Sequence, residues 1–397
     1  MSILPDWAPN VHPLIVHFPI ALLFVAALVD TIGLAFKGES MWKNTAFLLY
    51  MFGTLAAVAA FFAGKQAADS VFLATEANAV LTNHANMAHY LVYFFGGYTV
   101  LRTIFFFSNL EGRTGIRAVM YLLGVGGLVL VWSTADRGAE LVFKYGVGVA
   151  AVGEAGTEVL PTSGSSETSA PLNNQKGGWT WKPTRAAAWK SSLSTYGTDG
   201  GLNTSIQDGG EYGDVLALTT TGDPTILTFD FPMQTVQMDA RLNLDGFTGS
   251  IMFVHHVVDA ENYNFVSVSH EEMKIGRSEN GDMYLLESKP FSPNGWNSYR
   301  VVADQTHFRA YADQLLVTHG HGDDPGSGWV GIRLNGTGTV LLDFVQTVSL
   351  RGEGMTEGMG EPQTDKETPS ATGAAAAAKT PADSGASAAA DSTVHDH

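Results

Sequence analysis

Two apolar segments of the chain carry histidines in matched pairs. His12 and His17 lie in the stretch VHPLIVHFPI, residues 11–20, and His84 and His89 repeat the same spacing later in the chain. Neutral imidazoles presented at one level by two helices could be the axial ligands of a non-covalent haem b, or could share a divalent metal ion. The same side chains could instead be polar partners inside a helix bundle or conduct protons. The sequence leaves these uses open.

A second matched pair lies deeper in the same two segments. Asp30 and Arg102 are related by the same offset as the histidine pairs, and each lies well beyond the inner histidine of its segment. A lone charge in hydrocarbon is costly, so opposite charges at one depth predict a buried salt bridge between the two helices. We interpret this pair as architectural.

The stretch THGHGDD, residues 318–324, concentrates side chains that bind cations. His319, His321, Asp323 and Asp324 supply two imidazoles and two carboxylates, which are ligand types for zinc and calcium. The same composition is typical of a solvated turn. The segment is therefore either a metal site or a solvated turn without a metal.

Three tryptophans could bind a partner through their ring faces. Trp179, Trp181 and Trp189 could stack on a sugar or dock a protein, or they could cover the edge of a sheet. Retaining glycan hydrolysis needs two carboxylates about 5 Å apart, and no predicted strand offers two inward Asp or Glu residues. The sequence therefore favours binding over glycan hydrolysis and contains no convincing catalytic set.

Two further histidines are adjacent on a predicted strand. His255 and His256 lie in GSIMFVHHVV. Because successive side chains of a strand point to opposite faces, we expect these two rings to be separated by the sheet.

Four long apolar runs predict that the paired histidines and the pair of Asp30 and Arg102 lie in membrane-spanning helices. Each run has roughly the 17–25 residues that a helix needs to cross a bilayer. The runs are residues 13–36, 44–63, 85–108 and 117–133. We predict a four-helix membrane domain over residues 1–150 in contact with lipid.

Basic residues in the short loops predict how these helices are oriented. Lys37 and Lys43 lie between the first two spans, and Arg113 and Arg117 lie between the last two. The positive-inside rule makes both loops cytoplasmic, so both termini face outward. The segment before the first span has no cleavable signal pattern, so we expect this span to stay as an anchor. In a bacterial inner membrane the C-terminal part would be periplasmic or extracellular.

The membrane domain has the pattern of a helical hairpin written twice. The first and third spans align at the constant offset that relates their histidines, and AGKQAADSVF, residues 63–72, matches TADRGAELVF, residues 134–143, at almost the same offset. Residues 11–72 and 83–143 therefore predict a pseudo-symmetric bundle in which spans one and three run parallel.

The motifs VHPLIVHFPIALL and DRGAELVFKYGVGV resemble those of a bacterial family of four-span membrane domains of unknown function. The resemblance covers about residues 8–150. It implies a topology and brings no established activity. This chain has Phe143 and Lys144 where the family more often shows Tyr and a basic or His residue, which weakens any role carried over to that position.

Composition argues against nucleic-acid binding and excludes cysteine-based sites. The formal net charge is −17, which argues against nucleic acid as a partner. The chain has no cysteine and therefore no disulfide, no thiolate metal site and no covalent haem attachment.

The polar two thirds of the chain divides into three parts. Residues 151–177 are rich in Gly and Ser and predict a linker. From residue 213 to 350, short alternating segments separated by turns such as DAEN, ENGD and NGTG predict an all-β jelly-roll sandwich. We assign residues 178–350 to this extracytoplasmic domain. Residues 351–397 lack the apolar content of a core and predict a disordered tail.

The segments ENYNFVSVS, GWNSYRVVADQTHFRAYADQLLV and GWVGIRLNGTGTVLLDFVQTVSL resemble the strand succession of concanavalin A-like lectin and glucanase sandwiches. The resemblance covers about residues 178–350 and implies an all-β concanavalin A-like jelly roll. The Glu-x-Asp-x-x-Glu run of the glucanases is absent from this sequence.

The sequence thus predicts an all-α four-helix transmembrane bundle, built as a duplicated hairpin, followed by an all-β concanavalin A-like sandwich. We expect a non-catalytic accessory or scaffold subunit that presents the sandwich to a respiratory or photosynthetic complex or to glycan. The rival hypothesis is a membrane redox protein that holds haem b or a metal with His17 and His89. A glycan hydrolase is a third and weaker hypothesis.

Overall fold

Five helices make up the first part of the protein, as seen in a computed structural model that describes residues 10–36, 40–110, 113–149, 172–174, 178–183, 193–196, 201–222 and 224–351. The helices are α1 (His12–Ile15), α2 (His17–Ala35), α3 (Ser40–Asp69), α4 (Thr75–Phe107) and α5 (Thr114–Phe143). Four stretches are long and apolar enough to cross a membrane: His12–Ala35, Ser40–Asp69, Thr75–Phe107 and Gly115–Phe143. The prediction of four spans is confirmed.

A break at Val16 separates α1 from α2. Proline has no backbone N–H, so Pro19 cannot donate to the carbonyl of Ile15 one turn earlier. The Val16 amide donates to the carbonyl of His12 at 3.0 Å and closes α1 at this point. The chain then continues directly into α2, so the two pieces act as one span.

The bundle is packed inside and apolar outside. Its core is formed by Leu23, Tyr50, Phe95, Tyr98 and Met120, all nearly inaccessible. Large apolar side chains such as Phe18, Trp132 and Val129 are 62%, 69% and 65% exposed. Such an outer surface would be a liability in water and is what a lipid-facing surface requires.

Within the described residues, fifteen strands form the second part. They are β1 (Leu172–Asn174), β2 (Gly178–Trp181), β3 (Leu193–Tyr196), β4 (Leu202–Asp208), β5 (Asp214–Thr221), β6 (Thr225–Met233), β7 (Val236–Asn243), β8 (Phe247–Val257), β9 (Tyr263–Ser269), β10 (Glu272–Glu279), β11 (Asp282–Pro290), β12 (Trp296–Asp304), β13 (His307–Ala312), β14 (Leu315–His321) and β15 (Gly328–Val348). Every strand pairing described is antiparallel.

The long strand β15 belongs to both layers of a sandwich. Its first half pairs with β8 and β6, which gives the order β11-β10-β9-β8-β15-β6-β3. Its second half pairs with β7 on one side and with β5 and β2 on the other, and continues as β7-β12-β13-β14. We call these layers the β8 sheet and the β7 sheet.

Alternating residues of the two sheets form the main hydrophobic core. Val236, Met238, Ala240 and Leu242 of β7 and Phe253 of β8 are among its fully buried members. Their alternation with polar neighbours is the pattern that predicts a sandwich. The jelly-roll prediction is confirmed.

Structure extends into the range assigned to the linker. Strand β1, Leu172–Asn174, lies within residues 151–177 and pairs with β2. The rest of that range, and the tail from residue 352 onward, lie outside the described residues.

The expected separation of His255 and His256 is wrong. Their Nδ1 atoms lie 2.6 Å apart, so one ring donates a hydrogen bond to the other. His256 has a φ of 52°, and the register between β8 and β15 shifts at this point. This bulge breaks the strict alternation of faces and turns both rings inward.

Candidate functional site at the bundle–sandwich junction

The outer histidines of the two hairpins are held in equivalent ways. His12 Nδ1 donates to the carbonyl of Ala60 at 3.0 Å, and His84 Nδ1 donates to that of Thr134 at 2.9 Å. The two rings meet edge to face with centroids 6.4 Å apart. Each histidine therefore ties the first helix of its hairpin to the second.

Two glycines make room for these rings. A Cβ atom on Gly64 would lie 3.0 Å from the His12 ring, and one on Gly138 would lie 3.1 Å from the His84 ring. In the structure Ala60 thus corresponds to Thr134, and Gly64 to Gly138. The residue offset between the two second helices is therefore larger in the structure than the offset at which AGKQAADSVF and TADRGAELVF match in the sequence. The expected alignment of these two segments is corrected accordingly.

The inner histidines do not form the pair that axial haem ligation requires. His17 is exposed on the surface of the bundle. His89 donates from Nδ1 to Ala85, one turn earlier, and its ring packs against Phe61 with centroids 4.6 Å apart. Five residues turn a helix by about 140° from the starting face, and the break at Val16 does not bring His17 inward. The expected pairing of His17 with His89 across the interior is therefore wrong.

Asp30 and Arg102 meet in the middle of the bundle. The guanidinium donates to both carboxylate oxygens, at 2.5 and 2.8 Å, and the two side chains are only 4% and 5% exposed. Tyr98 accepts a further bond from Arg102 at 2.6 Å, and the ring of Tyr50 lies 4.7 Å from the guanidinium carbon. This geometry ties α2 to α4 through charges that no lipid reaches.

Two of the three candidate tryptophans are not available to a ligand. Trp179 and Trp181 are each 3% exposed and belong to the sandwich core. Strand β2 pairs with the second half of β15, and both rings pack inside the domain, so their expected role in stacking on sugar is wrong. Trp189 lies outside the described residues.

The end of the bundle that carries the connection between α3 and α4 is in contact with the β7 sheet. The connection between α3 and α4 and the first turns of α4 lie against the outer face of β7, β12 and β13. Arg300 of β12 donates from Nη1 to the carbonyl of Leu73 at 2.8 Å and from Nε to Asp239 of β7 at 2.6 Å. Both charged side chains are at most 3% exposed. A buried, paired arginine thus binds the backbone of the membrane domain.

A second buried contact lies beside the first. The side-chain amide of Gln237, 0% exposed, donates to Thr75 at 2.9 Å and accepts from Asn78 at 3.2 Å. It also donates to Asp239 at 2.8 Å. Fully buried polar groups are costly unless hydrogen-bonded, so this network specifies one docked arrangement.

Further along α4, two asparagines continue the contact. Asn86 donates to Gln305 at 3.3 Å and accepts from His307 at 3.2 Å. Asn83 accepts from Arg351 at 3.4 Å, and Arg351 also bonds Asp304 at 3.0 Å. Direct side-chain bonds therefore follow α4 over several turns.

Apolar contacts fill the space between these bonds. Phe72 packs edge to face on Tyr311 at 5.3 Å, and the guanidinium carbon of Arg300 lies 4.5 Å from the Phe72 ring. Ala79 and Leu316 join the same cluster. The junction combines apolar contact with direct hydrogen bonds, as a specific interface does.

Three histidines of the sandwich converge at the rim of this junction. His307 of β13 lies opposite His321 of β14 in the antiparallel register, and Arg309 lies opposite His319. The ring centroids are 4.7 Å apart for His307 and His321, 4.6 Å for His319 and His321, and 5.9 Å for His307 and His319. One nitrogen of each ring lies within 4.8 Å of the others. The structure thus holds a histidine cluster that could bind a metal ion.

The two acidic members of the expected site are not part of this cluster. The side chain of Asp323 is 94% exposed and pairs with Arg277 at 3.4 Å. Asp324 accepts from the backbone of Gly326. His319 and His321 lie on a strand, while the aspartates follow in the loop, so the expected four-residue set is corrected to three histidines.

Burial and neighbouring charge keep two of the three rings, His307 and His321, neutral. Burial, with Arg309 and the other histidines as further causes, lowers the pKa of His307 to about 2. Burial likewise lowers the pKa of His321 to about 4, with His319 and Lys65 as further causes. Neutral imidazoles have the free electron pairs that a metal requires.

His307 was not among the ligands predicted from the sequence. It lies on β13, and its two partners lie on β14. A two-residue turn at Asp313 and Gln314, both with positive φ, reverses the chain and brings β14 back alongside β13. The register shifts by one residue at Ala310 and Tyr311. The hairpin was predictable from the alternation of these strands, whereas the bulge that sets His307 opposite His321 leaves no clear mark in the sequence.

The membrane part of the chain matches a protein-family model. Residues 8–151 match the family model described as "Predicted membrane protein (DUF2231)". No curated protein matches.

The sandwich is similar in fold to several solved structures. Carbohydrate-binding module CBM66 from Bacillus subtilis is 19% identical, with a TM-score of 0.33 over 40% of this chain and 96% of that chain. A protein of unknown function with a galectin-like fold, also from Bacillus subtilis, is 11% identical, with a TM-score of 0.33 over 42% and 95%. A β-glucanase from Bacillus licheniformis is 11% identical, with a TM-score of 0.31 over 44% and 98%. The likeness is one of fold and says nothing of ligand or activity.

Proposed function

We propose that this chain is an integral-membrane scaffold that fixes a β-sandwich in one orientation on the outer side of a bacterial inner membrane and offers its free edge to a partner protein. The observation that carries this proposal is the buried polar junction. Arg300 and Gln237 are inaccessible to solvent and bond the membrane domain directly. A sandwich that merely needed tethering would not require such contacts.

The position of the junction supports an extracytoplasmic sandwich. It contacts the connection between α3 and α4, at the end of the bundle opposite Lys43, Arg113 and Arg117. Basic residues in short loops are retained on the cytoplasmic side. The sandwich then lies on the periplasmic side.

Strand β11 is the surface that we assign to the partner. Among the described strands it pairs with β10 alone. Met283, Tyr284 and Leu285 are 50%, 46% and 57% exposed. An exposed apolar segment on an edge strand is a template for strand addition by another chain and is otherwise protected in natural proteins. A protein partner is favoured over glycan because Trp179 and Trp181 are buried.

The test is site-specific photo-cross-linking in cells of the organism that produces this protein, in the presence of a metal chelator. A photoreactive residue at Tyr284 should give a discrete cross-linked protein, and Leu285→Lys should abolish it, because a charge on the edge opposes strand addition. The matched control is the same photoreactive residue at the exposed Thr248 of β8, which should give no such product.

Two outcomes would contradict the proposal. One is equal capture from Tyr284 and Thr248. The other is purified protein that retains an oligosaccharide on the sandwich while no protein is captured at β11, which would favour the glycan alternative.

A further inference from the structure

The histidine cluster has nearly the geometry of a metal site. Nitrogens bound to one tetrahedral Zn²⁺ lie roughly 3.4 Å apart, since each Zn–N bond is about 2.0–2.1 Å. The candidate nitrogens of His307, His319 and His321 lie within 4.8 Å of one another. His321 is exposed and free to adjust its rotamer, so a small movement would close the set.

The hydrogen bonds of the cluster leave one nitrogen of His307 and one of His319 available. His307 donates from Nε2 to Asn86 at 3.2 Å, and its Nδ1 is buried without a hydrogen-bond partner among the described residues. His319 donates from Nδ1 to Asp69 at 3.0 Å, and its Nε2 is likewise buried without such a partner. Buried nitrogens of this kind need an explanation, and a metal ion supplies one.

Both outer partners come from the membrane domain. Asp69 ends α3 and Asn86 lies on α4. Metal-binding histidines usually donate their second N–H to a carboxylate or a carbonyl oxygen, which fixes the tautomer and makes the ring a better ligand. Asp69 and Asn86 occupy those positions.

We propose that His307 Nδ1, His319 Nε2 and one nitrogen of His321 bind a divalent transition metal, with Zn²⁺ as the reference ion, and that Asp69 and Asn86 of the bundle orient the ligands. Imidazole is a ligand for zinc and copper and is unsuited to calcium. Three histidines leave one coordination position for water or for a group of a partner.

The consequence is a junction whose strength depends on metal. A bound ion makes the opposite N–H of each ring a stronger donor, so the bonds to Asp69 and Asn86 tighten when the metal binds. This inference goes beyond the proposed function and uses the same docked arrangement.

The test uses the full chain in lipid nanodiscs. Metal is removed with chelator, and the tail histidines His395 and His397 are replaced by alanine to remove other ligands. Titration with Co²⁺ should give the visible ligand-field bands of a tetrahedral site at one equivalent, and competition with Zn²⁺ then gives the zinc affinity. His307→Ala with His319→Ala should weaken zinc binding at least hundredfold, and His17→Ala, the matched control, should leave it unchanged.

Asp69→Asn tests the role of the bundle without altering the sandwich. It should weaken zinc binding by about 10–100-fold, the usual effect of losing such a partner, with the thermal transition of the metal-free protein unchanged. Absence of stoichiometric binding, or binding unaffected by the double histidine variant, would overturn the site. Zinc binding that is unaffected by Asp69→Asn would overturn the bundle's part in it. None of these readouts depends on cross-linking at β11.

Discussion

His255 and His256 show how one residue with a positive φ changes the direction in which the side chains of a strand point. The left-handed conformation of His256 turns both rings to one site, where one donates to the other and His256 also donates to the carbonyl of Gln234 at 2.8 Å. Burial lowers the pKa of His255 well below its ordinary value and also lowers the pKa of His256. The folded sandwich therefore keeps both rings neutral.

This pair makes the sandwich sensitive to acid. In the unfolded chain each histidine takes up a proton below about pH 6.5. The folded chain binds fewer protons in that range, so the free energy of unfolding is fully retained above about pH 6.5 and falls as the pH decreases, by up to about 1.4 kcal/mol per pH unit for each neutral histidine. His255→Phe should reduce this slope by up to that amount. Urea unfolding of the full chain in detergent at pH 7.5, 6.0 and 5.0, followed by tryptophan fluorescence, measures it.

The exposed His17 provides the control for this measurement. His17→Ala should leave the pH slope as in the unmodified chain. Equal slopes for the unmodified chain and His255→Phe would show that burial of this ring does not govern acid stability.

The ion pair of Asp30 and Arg102 gives a second prediction at this scale. Arg102→Met leaves a buried carboxylate without its guanidinium, and breaking a buried pair in this way costs about 3–5 kcal/mol. The thermal transition of the detergent-solubilised protein should fall clearly. Replacing both partners, Asp30→Leu with Arg102→Met, should restore most of the loss because no lone charge remains. A double variant as unstable as the single one would contradict this explanation.

At the scale of elements, the duplicated hairpin explains the paired histidines. Each outer histidine bonds a backbone carbonyl of the following helix, and a glycine leaves room for the ring. The offset between the first helices of the two hairpins was readable from the sequence. The offset between the second helices was not, because small apolar residues align almost equally well at several registers, and the contact with the histidine ring selects one of them.

The hairpin of β13 and β14 marks a similar limit. His319 and His321 were recognisable as candidate metal ligands from their spacing on the chain. His307 joins them through a register shift of one residue, and a shift of one residue moves every later side chain relative to its partner. Local sequence specifies the strands, while packing against the bundle and the core determines their register.

At the scale of the whole molecule, four spans and a sandwich were predictable because hydropathy and strand alternation are strong signals. Their docking was not, because it depends on individual polar residues. Asn78, Asn83 and Asn86 recur on α4, while their hydrogen-bond partners lie far away on the sandwich half of the chain. Nothing in the composition of either part marks these residues as partners.

Docking also explains why buried charge occurs on the outer face of a sheet. Asp239, Arg300 and His307 would normally face water there, and instead the membrane domain covers them. Because Arg300 bonds Asp239, and Arg300 and His307 also bond the bundle, one docked position of the sandwich is favoured. Strand β11 and the histidine cluster are thereby held at fixed places relative to the bundle.

The most direct test of this account is a cross-link between the two parts. The chain has no cysteine, so Asn86→Cys with Gln305→Cys introduces one defined pair, and a protease site placed in residues 151–171 allows the halves to separate unless they are joined. In nanodiscs with chelator, a short bifunctional thiol reagent should join the halves rapidly in this variant. It should fail to do so for Asn86→Cys with Thr248→Cys, because Thr248 lies on the opposite sheet. Failure to join Asn86→Cys to Gln305→Cys, or equal joining of both pairs, would contradict the docked arrangement.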